Sequence, residues 1–318
     1  MDKIRVAVIG AGVFGRHHLR VLSQSLNATL VGVVDINPER AAQTAAEHNC
    51  LTFATLGELK GNVDAAVVAV PTSLHAEVGC ELLESGIDVL MEKPIAANLA
   101  SARRLVDTAA EYERILQIGH LERFNPAVAA LKKIVSIPLF FEIHRLSLFS
   151  PRSLDVDVVL DLMIHDIDIV LDLAGAIPEE IRAAGISILS DKVDIANVRL
   201  AFPGGCVANF TASRVSTERV RKLRLFQPHQ YISLDYQKQE AVAFTVTGNQ
   251  QIGFQPLPVV KEEPLRLEVE AFLASVAHRT RPPVSGEEGL RALEVALAIL
   301  DKIEEHAKLV TQRLLSVT

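Results

Sequence analysis

The residues best suited to chemistry lie in one stretch near the middle of the chain. Four aspartates and a histidine recur there at spacings of four, four, three and four residues: Asp157, Asp161, His165, Asp168 and Asp172. In a helix over about residues 153–173, these spacings place all five side chains on one face. A histidine, with an unperturbed pKa near ~6.5, can take up a proton at physiological pH, and a carboxylate one turn away can orient its ring. The pattern indicates general-base chemistry, with His165 and Asp161 as the catalytic pair.

The acidic face has two other interpretations, a solvated surface and a metal centre. A solvated face would normally carry lysine and glutamate, and aspartates four residues apart repel one another by a few tenths of a kcal/mol. We therefore expect the face to line a cleft. A metal centre would need further histidines at paired spacing, and only the scattered His120 and His144 could contribute. The sequence accordingly predicts no metal site.

A lysine is the second residue whose type and position suit catalysis. Lys93 follows the predicted strand of residues 87–91 in the run Met91-Glu92-Lys93-Pro94. It could be an ordinary surface lysine in a loop. At the carboxyl end of a parallel strand, however, it could donate a hydrogen bond to a reacting hydroxyl oxygen and offset alkoxide charge. Alcohol oxidation needs a base for the hydroxyl proton, and the sequence leaves open whether Lys93 or His165 is that base.

The element that must position these groups is the first strand and the turn after it. Residues 3–9 form an apolar strand that leads into Gly10-Ala11-Gly12-Val13-Phe14-Gly15. Gly10 permits a tight turn, Gly12 lets a pyrophosphate approach the backbone, and Gly15 lets helix and strand pack closely. These features predict a dinucleotide site. The alternative is a glycine-rich turn that binds nothing.

The second apolar strand ends at an acid. Asp35 lies twenty residues after Gly15, where a carboxylate would bind the adenine ribose hydroxyls. Such a carboxylate repels a 2′-phosphate, so NAD is expected in preference to NADP. Arg40 could soften that repulsion.

Further strands at residues 65–70, 87–91 and 115–119 alternate with helices, which predicts an α/β fold with a doubly wound parallel Rossmann sheet. Ligands bind such sheets at the carboxyl ends of the strands. We expect cofactor contacts from Gly10, Gly12, Val13, Phe14, Gly15, Asp35, Val70, Pro71, Thr72, His75, Glu92 and Lys93.

Past about residue 137 the pattern changes to longer, neighbouring strands, which indicates an α+β domain with a large mixed or antiparallel sheet. The expected domains are therefore a Rossmann domain, residues 1–121, and a substrate and oligomerisation domain, residues 122–318, whose C-terminal helix could pack back on the first. One broad face of the second sheet is expected to mediate a homodimer or homotetramer.

Composition excludes several classes of protein. A net charge of −7 and the lack of a clear basic cluster argue against a nucleic acid partner. No apolar run approaches the ~18 residues that span a bilayer, so no membrane partner is expected. Three cysteines without paired spacing suit reduced thiols, and a cytoplasmic location is expected.

Several motifs together resemble the glucose-fructose oxidoreductase and inositol dehydrogenase family of NAD(P)-dependent sugar dehydrogenases. The matching pieces are the glycine turn, Pro71-Thr72-Ser73-Leu74-His75, Glu92-Lys93-Pro94, and Asp161 followed by His165. They cover about the first 175 residues. The resemblance implies catalytic roles for Lys93, Asp161 and His165 and a sugar or nucleotide-sugar substrate.

One difference from many family members indicates a particular subgroup. Many members carry a glycine run before the catalytic aspartate, whereas this chain has Asp155-Val156-Asp157-Val158-Val159. With Gly119 to Pro126, this is similar to the subgroup that oxidises the 3-hydroxyl of UDP-N-acetylglucosamine on the way to 2,3-diamino lipid A sugars. Substrate contacts are then expected from Lys93, His120, Arg123, Asn125, Arg152, Asp157 and His165.

Three alternatives remain at this point. The chain could oxidise another sugar or polyol such as myo-inositol. It could be a sensor that keeps the cofactor site without turnover, although the intact catalytic set argues against this. It could also be a non-sugar reductase of the same architecture, which would not require Asp161 and His165.

Overall fold

The computed structural model describes residues 3–149, 156–246 and 251–315, with side chains as far as residue 309. The chain divides into two compact units. The first comprises the residues up to Leu121 together with Glu263–Leu293, and the second comprises Glu122–Glu262 together with the chain from Glu294 onwards. We describe each unit by itself, with strands and helices numbered in chain order.

The first unit is built on a six-stranded sheet in the order β3-β2-β1-β4-β5-β6, with every neighbouring pair parallel. The strands are β1 (Ile4–Ile9), β2 (Ala28–Val34), β3 (Leu51–Phe53), β4 (Ala65–Val68), β5 (Asp88–Glu92) and β6 (Leu116–Gly119). The helices are α1 (Val13–Gln24), α2 (Pro38–His48), α3 (His75–Glu84), α4 (Leu99–Glu111), α7 (Pro264–His278) and the start of α8 (Gly286–Leu315). The strand order reverses between β1 and β4, so ligands are expected at the carboxyl ends there. The predicted Rossmann sheet is confirmed.

Apolar packing holds α1 and α7 against the same sheet. Leu19 and Leu22 of α1 and Phe272 of α7 belong to one buried cluster with Val6 and Val8 of β1. These side chains are almost fully removed from solvent. Burial of each large aliphatic side chain contributes roughly 1.5–3 kcal/mol, so this face is a major source of stability for the unit.

The second unit contains an eight-stranded sheet in the order β14-β13-β12-β11-β7-β10-β9-β8. Its strands are β7 (Phe140–Leu148), β8 (Glu180–Ile186), β9 (Ile195–Ala201), β10 (Val207–Ser216), β11 (Val220–Gln227), β12 (Gln230–Asp235), β13 (Glu240–Val246) and β14 (Ile252–Pro256). Its helices include α5 (Pro126–Lys132) and α6 (Ile164–Ala174). β7 and β10 pair in parallel and the other neighbours are antiparallel. The predicted mixed sheet is confirmed.

The two faces of this second sheet differ. Along β7, Phe141, Ile143 and Arg145 are buried, while Phe140 and His144 are partly exposed. Side chains alternate between the faces of a strand, so one face packs on the helices of the unit and the other carries partly exposed side chains.

The acidic helix differs from its expected regular form. Its first described turn, Val159–Met163, is π-helical, with the Ile164 N–H donating to the Val159 carbonyl five residues earlier, and α6 follows. The expectation of a regular helix over about residues 153–173 was therefore wrong at Val159–Met163, because a π-helical turn holds more residues than an α-helical one. Whether all five side chains share one face stays a prediction.

Within the described parts of the chain, no helix is both long enough and apolar enough to span a bilayer.

Candidate active site

The glycine turn after β1 has the geometry of a phosphate cradle. Gly10 has φ +94°, a backbone conformation that favours glycine, and a Cβ on Gly15 would lie 1.8 Å from the Gly10 carbonyl oxygen. At Gly12, by contrast, nothing lies within 4 Å of the position a Cβ would take. No side chain caps the start of α1 at Gly12 among the described contacts, so its first backbone N–H groups can bind an anion. The geometry fits the pyrophosphate of a dinucleotide.

The different surroundings of Gly12 and Gly15 give a first prediction. Gly15→Ala should lower both the melting temperature and NAD affinity, because the added methyl group forces α1 away from β1 at a cost of roughly 1–3 kcal/mol. Gly12→Ala should leave the melting temperature unchanged and raise the Kd for NAD by about tenfold or more, or ~1.4 kcal/mol. Calorimetric titration and thermal unfolding measure the two effects. An unchanged Kd for NAD in Gly12→Ala would show that the pyrophosphate does not bind at this turn.

Asp35 is held at the end of β2 by four hydrogen bonds. Its oxygens accept from the Ala11 N–H at 2.7 Å, the Asn37 N–H at 2.8 Å, and the Arg40 guanidinium at 3.0 and 2.6 Å. Burial acts to raise the pKa of Asp35, but Arg40 and the two backbone donors outweigh it, so the pKa lies below its ordinary value. The carboxylate is therefore ionised beside the glycine turn.

His75 connects two loops at the same edge of the sheet. One ring nitrogen lies 2.9 Å from the Pro94 carbonyl oxygen and the other lies 3.0 Å from the Val70 carbonyl oxygen. Burial lowers the pKa of His75 despite the two carbonyls, and a neutral ring donates to one of them. The ring thus fastens the loop after β4, which includes Pro71 and Thr72, to the Glu92-Lys93-Pro94 loop.

Glu92 forms a buried pair that sequence reasoning missed. His18 Nε2 on α1 lies 2.7 Å from Glu92 Oε1, and the side chains are 1% and 15% exposed. Burial acts to raise the pKa of Glu92, but His18 and Lys93 outweigh it and the pKa is lowered. His18 precedes Leu19 and lies four residues before Leu22, and this helical spacing on the buried face was the available signal. Lys93, half-buried, follows at the carboxyl end of β5.

Asp161 and His165 flank the transition from the π-helical turn to α6. Asp161 lies in the turn Val159–Met163, His165 is the second residue of α6, and both side chains are partly buried. π-helical turns occur often at functional sites, because the extra residue gives neighbouring side chains directions that an α-helix does not provide.

Two buried arginines hold the part of α6 that directly follows this pair. Arg145 on β7 binds Asp166 with two hydrogen bonds of 2.6 and 2.8 Å, and its third nitrogen lies 3.0 Å from Glu122. Arg123 binds Asp168 in the same bidentate way, at 2.8 and 2.7 Å, and also approaches Asp172 at 2.8 Å. The arginine side chains are 3% and 6% exposed. Asp166, absent from the expected acidic face, directly follows His165, so its ion pair with Arg145 anchors this part of α6.

The other residues that were predicted to contact substrate lie in different surroundings. Asn125 is buried, caps α5 by accepting from the Ala127 N–H, and donates to Glu122 and to the Tyr236 carbonyl. Asp157 accepts from the Val193 N–H at 2.8 Å. His120 is buried just beyond β6. Arg152 lies outside the described residues. These contacts give Arg123, Asn125 and Asp157 structural partners, and their contacts with substrate stay predictions.

No group of three or more His, Cys, Asp or Glu side chains within the described ranges is arranged to hold a metal ion. NAD, in contrast, fits the first unit, which offers the α1 amides for a pyrophosphate and Asp35 for a ribose. The fold and this site together define a Rossmann-type oxidoreductase.

Comparison with known proteins agrees with this class. Residues 4–120 match the model of the oxidoreductase family with an NAD-binding Rossmann fold, and residues 145–229 match the GFO/IDH/MocA C-terminal domain. The chain belongs to this family, and it is an oxidoreductase with NAD as its cofactor.

Individual relatives match along almost the whole chain. The UDP-N-acetylglucosamine 3-dehydrogenase of Acidithiobacillus ferrooxidans is 36% identical over 310 residues, 96% of this chain and 98% of the relative. A solved structure of that enzyme superposes with a TM-score of 0.91 over 96% of this chain and 99% of the other. The myo-inositol 2-dehydrogenase of Thermotoga maritima is 28% identical, covering 95% of this chain and 97% of the relative.

Proposed function

We propose that this protein oxidises the 3-hydroxyl of UDP-N-acetylglucosamine to the 3-keto sugar with NAD. The observation that carries the proposal is the whole-length similarity to a UDP-N-acetylglucosamine 3-dehydrogenase, at 36% identity and with nearly equal chain lengths. The 3-keto product is a substrate for amination, which fits the expected place in 2,3-diamino lipid A synthesis.

The chemical roles follow from residue type and position. Bound NAD supplies the acceptor for the hydride. We propose that His165 takes the proton from the 3-hydroxyl, that Asp161 orients the imidazole or stabilises its cation, and that Lys93 donates a hydrogen bond to the reacting oxygen. Reversed roles for Lys93 and His165 are the alternative, which a pH profile resolves.

Supporting roles are proposed for the other expected residues. His75 shapes the cofactor edge through the Val70 and Pro94 carbonyls rather than through a free nitrogen, because both ring nitrogens lie on carbonyl oxygens. Val13 and Phe14 at the start of α1 expose more than half of their side-chain surfaces, which suits contact with a cofactor. Arg123 and Asn125 support the second unit through their ion pairs and hydrogen bonds.

An activity panel tests the proposed substrate. Purified protein with NAD should form NADH with UDP-N-acetylglucosamine, and mass spectrometry should show a product lighter by two hydrogens. UDP-glucose, UDP-N-acetylgalactosamine and myo-inositol serve as comparison substrates. Myo-inositol is the second candidate because inositol dehydrogenases match at 24–28% identity over 95–96% of the chain. Greater turnover of myo-inositol than of any UDP-sugar would reject the nucleotide-sugar proposal.

The Asp35 geometry predicts cofactor preference. The wild type should use NAD with a kcat/KM at least about tenfold above that for NADP, or ~1.4 kcal/mol, because the ionised Asp35 carboxylate repels a 2′-phosphate. Asp35→Ser should shift the preference toward NADP, since Arg40 is then released from its carboxylate partner. Arg40→Ala, with Asp35 intact, is the matched control and should not improve NADP use. Equal turnover of both cofactors by the wild type would contradict the role of Asp35.

We propose that the second sheet pairs with that of another copy to give a homodimer or homotetramer. Its partly exposed face carries a cross-strand row of aromatic rings with centroids 4.8–5.7 Å apart. The row consists of Phe140, Phe226, Tyr231, Phe244 and Phe254, one ring from each of β7, β11, β12, β13 and β14. An apolar row of this size suits contact with a second protein surface.

Self-association is tested by light scattering. The wild type should be a dimer or tetramer at micromolar concentration. Phe226→Glu should shift it toward monomer, because Phe226 lies within the row and is 37% exposed, and a carboxylate buried there without a partner is costly. Lys302→Gln at an exposed position of α8 changes the net charge by the same amount and is the matched surface control. A monomeric wild type would contradict the proposal.

A cytoplasmic location is proposed on the basis of the cysteines. Cys50, Cys80 and Cys206 form no disulfide, which suits a reducing compartment.

A further inference from the structure

A carboxyl group without a role in the proposed mechanism lies inside the first unit. Glu268 on α7 is 1% exposed, and its Oε1 has no hydrogen-bond partner among the described residues. The backbone carbonyl of Glu268 accepts a hydrogen bond of 3.1 Å from Gln117 Nε2. Gln117 is fully buried in β6, so this bond fixes the turn of α7 that carries Glu268 against the sheet.

Glu92 lies over the same face of the sheet. It stands opposite Gly119 in the β5–β6 register, and a Cβ on Gly119 would be 3.3 Å from Glu92 Oε2. Gln117 and Gly119 are two residues apart on β6 and therefore share a face, which α7 covers at Gln117. Glu92 and Glu268 therefore belong to the same covered face of the sheet, and the negative charge of Glu92 raises the pKa of Glu268.

The carboxyl groups of Glu92 and Glu268 have different surroundings. Glu92 has His18 as a hydrogen-bond partner and Lys93 as its neighbour, and both favour its ionised form. His75 on α3 also interacts with the charge of Glu92. For Glu268, burial and the negative charge of Glu92 both raise the pKa well above its ordinary value. A buried carboxyl group without a hydrogen-bond donor ionises only at a large cost, and the negative charge of Glu92 adds to it, so the proton stays on Glu268.

We propose that Glu268 is a positioning residue, an uncharged carboxylic acid that leaves Glu92 as the anion of the pair beside Lys93. The functional part of this inference rests on the proposed role of Lys93. A second negative charge at Glu268 would compete with ionisation of Glu92 and weaken its bond to His18. It would thereby change the electrostatic field at Lys93 and the position of the Glu92-Lys93-Pro94 loop.

The protonation state can be measured without any substrate. The infrared spectrum of the NAD-bound wild type at pH 7 should contain the C=O stretching band of a protonated carboxylic acid, and Glu268→Gln should lose it. Glu270→Gln on the same helix is the matched control and should keep it, because the Glu270 carboxylate accepts hydrogen bonds from Ser25 and Asn27 at 2.6 and 2.7 Å. A wild-type spectrum without the band at pH 7 overturns the proposal, even where the variants do not fold.

The pH dependence of stability gives an independent test, because the proposal fixes the direction in which stability changes with pH. Above the ordinary glutamate pKa of about 4.3, the unfolded chain releases a proton that the folded protein keeps at Glu268. The wild type therefore loses stability as pH rises toward the folded pKa, and Glu268→Gln does not share this loss. The melting temperature of Glu268→Gln relative to wild type should rise from pH 5 to pH 8. A variant that instead becomes less stable than wild type toward pH 8 shows that Glu268 is an ionised, stabilising group and overturns the proposal.

The activity profile tests the positioning role. The proposal predicts that kcat of the wild type declines at alkaline pH as Glu268 ionises. Glu268→Gln should keep kcat within about twofold at pH 7, since the amide is an uncharged isostere, and should shift or lose this decline. If Glu268 is protonated but Glu268→Gln leaves the whole pH profile of kcat unchanged, the positioning role is overturned. Absence of turnover with every sugar, together with the infrared band, would reject the proposed function and leave the protonated acid established.

Discussion

His165→Asn is expected to lower turnover of UDP-N-acetylglucosamine by ~10²-fold or more, the usual scale for losing a general base. NAD affinity should be unchanged, because the residues that fit the cofactor belong to the first unit and His165 belongs to the second. Steady-state kinetics and calorimetric titration with NAD measure the two effects. A variant that keeps wild-type turnover would show that α6 carries no catalytic base.

The pH profile of the same variant assigns the base. Wild-type turnover should rise as a group titrates between about pH 6 and 8, and this limb should vanish in His165→Asn. Lys93→Ala should also lower turnover, by removing stabilisation of the alkoxide, but should keep the limb. If Lys93→Ala removes the limb and His165→Asn retains it, lysine is the base and the two roles are reversed.

Arg145→Met is expected to destabilise the protein by about 3–5 kcal/mol. The arginine is buried, and its removal leaves Asp166 as a buried carboxylate without its cation and Glu122 with only the Arg221 guanidinium, 3.6 Å away. The pKa of Arg145 is raised well above its ordinary value, because its attraction to Asp166 and Glu122 outweighs the effect of burial. Chemical denaturation monitored by circular dichroism measures the change in the free energy of unfolding.

An exposed pair supplies the control for Arg145. Arg224 on β11 lies 2.7 Å from Glu142 on β7, with side chains 37% and 34% exposed, and Arg224→Met should cost less than about 1 kcal/mol. The double variant Arg145→Met with Asp166→Asn should recover part of the loss, since it removes the unpaired charge of Asp166. Equal costs for Arg145→Met and Arg224→Met would show that the buried cluster does not anchor α6.

The first unit could be predicted from sequence because local signals agreed with one another. Apart from β3, which was not predicted, each strand was a mainly apolar run, and the glycine spacing placed Gly10, Gly12 and Gly15 in roles that the structure supports by backbone angle and available space. Asp35 likewise lies at the end of its strand beside the turn. These features depend on residues close together in the chain, where periodicity is informative.

The acidic helix could not be predicted in detail because tertiary partners decide it. The spacing of Asp161, His165 and Asp168 assumed a regular helix, whereas a π-helical turn occupies Val159–Met163. Asp168 is buried because Arg123, 45 residues earlier, pairs with it. Arg145 gave no local sign that it binds Asp166, since an alternating strand pattern does not reveal which buried position holds a charge.

Isotope transfer from the sugar to the cofactor tests the central claim most directly. UDP-N-acetylglucosamine carrying deuterium at C3 should be incubated with the purified protein and NAD, and the nicotinamide ring of the product should be analysed by mass spectrometry. The account predicts NADH that carries one deuterium and a keto sugar that has lost it. NADH formed without deuterium, or no NADH in an enzyme that oxidises myo-inositol under the same conditions, would contradict it.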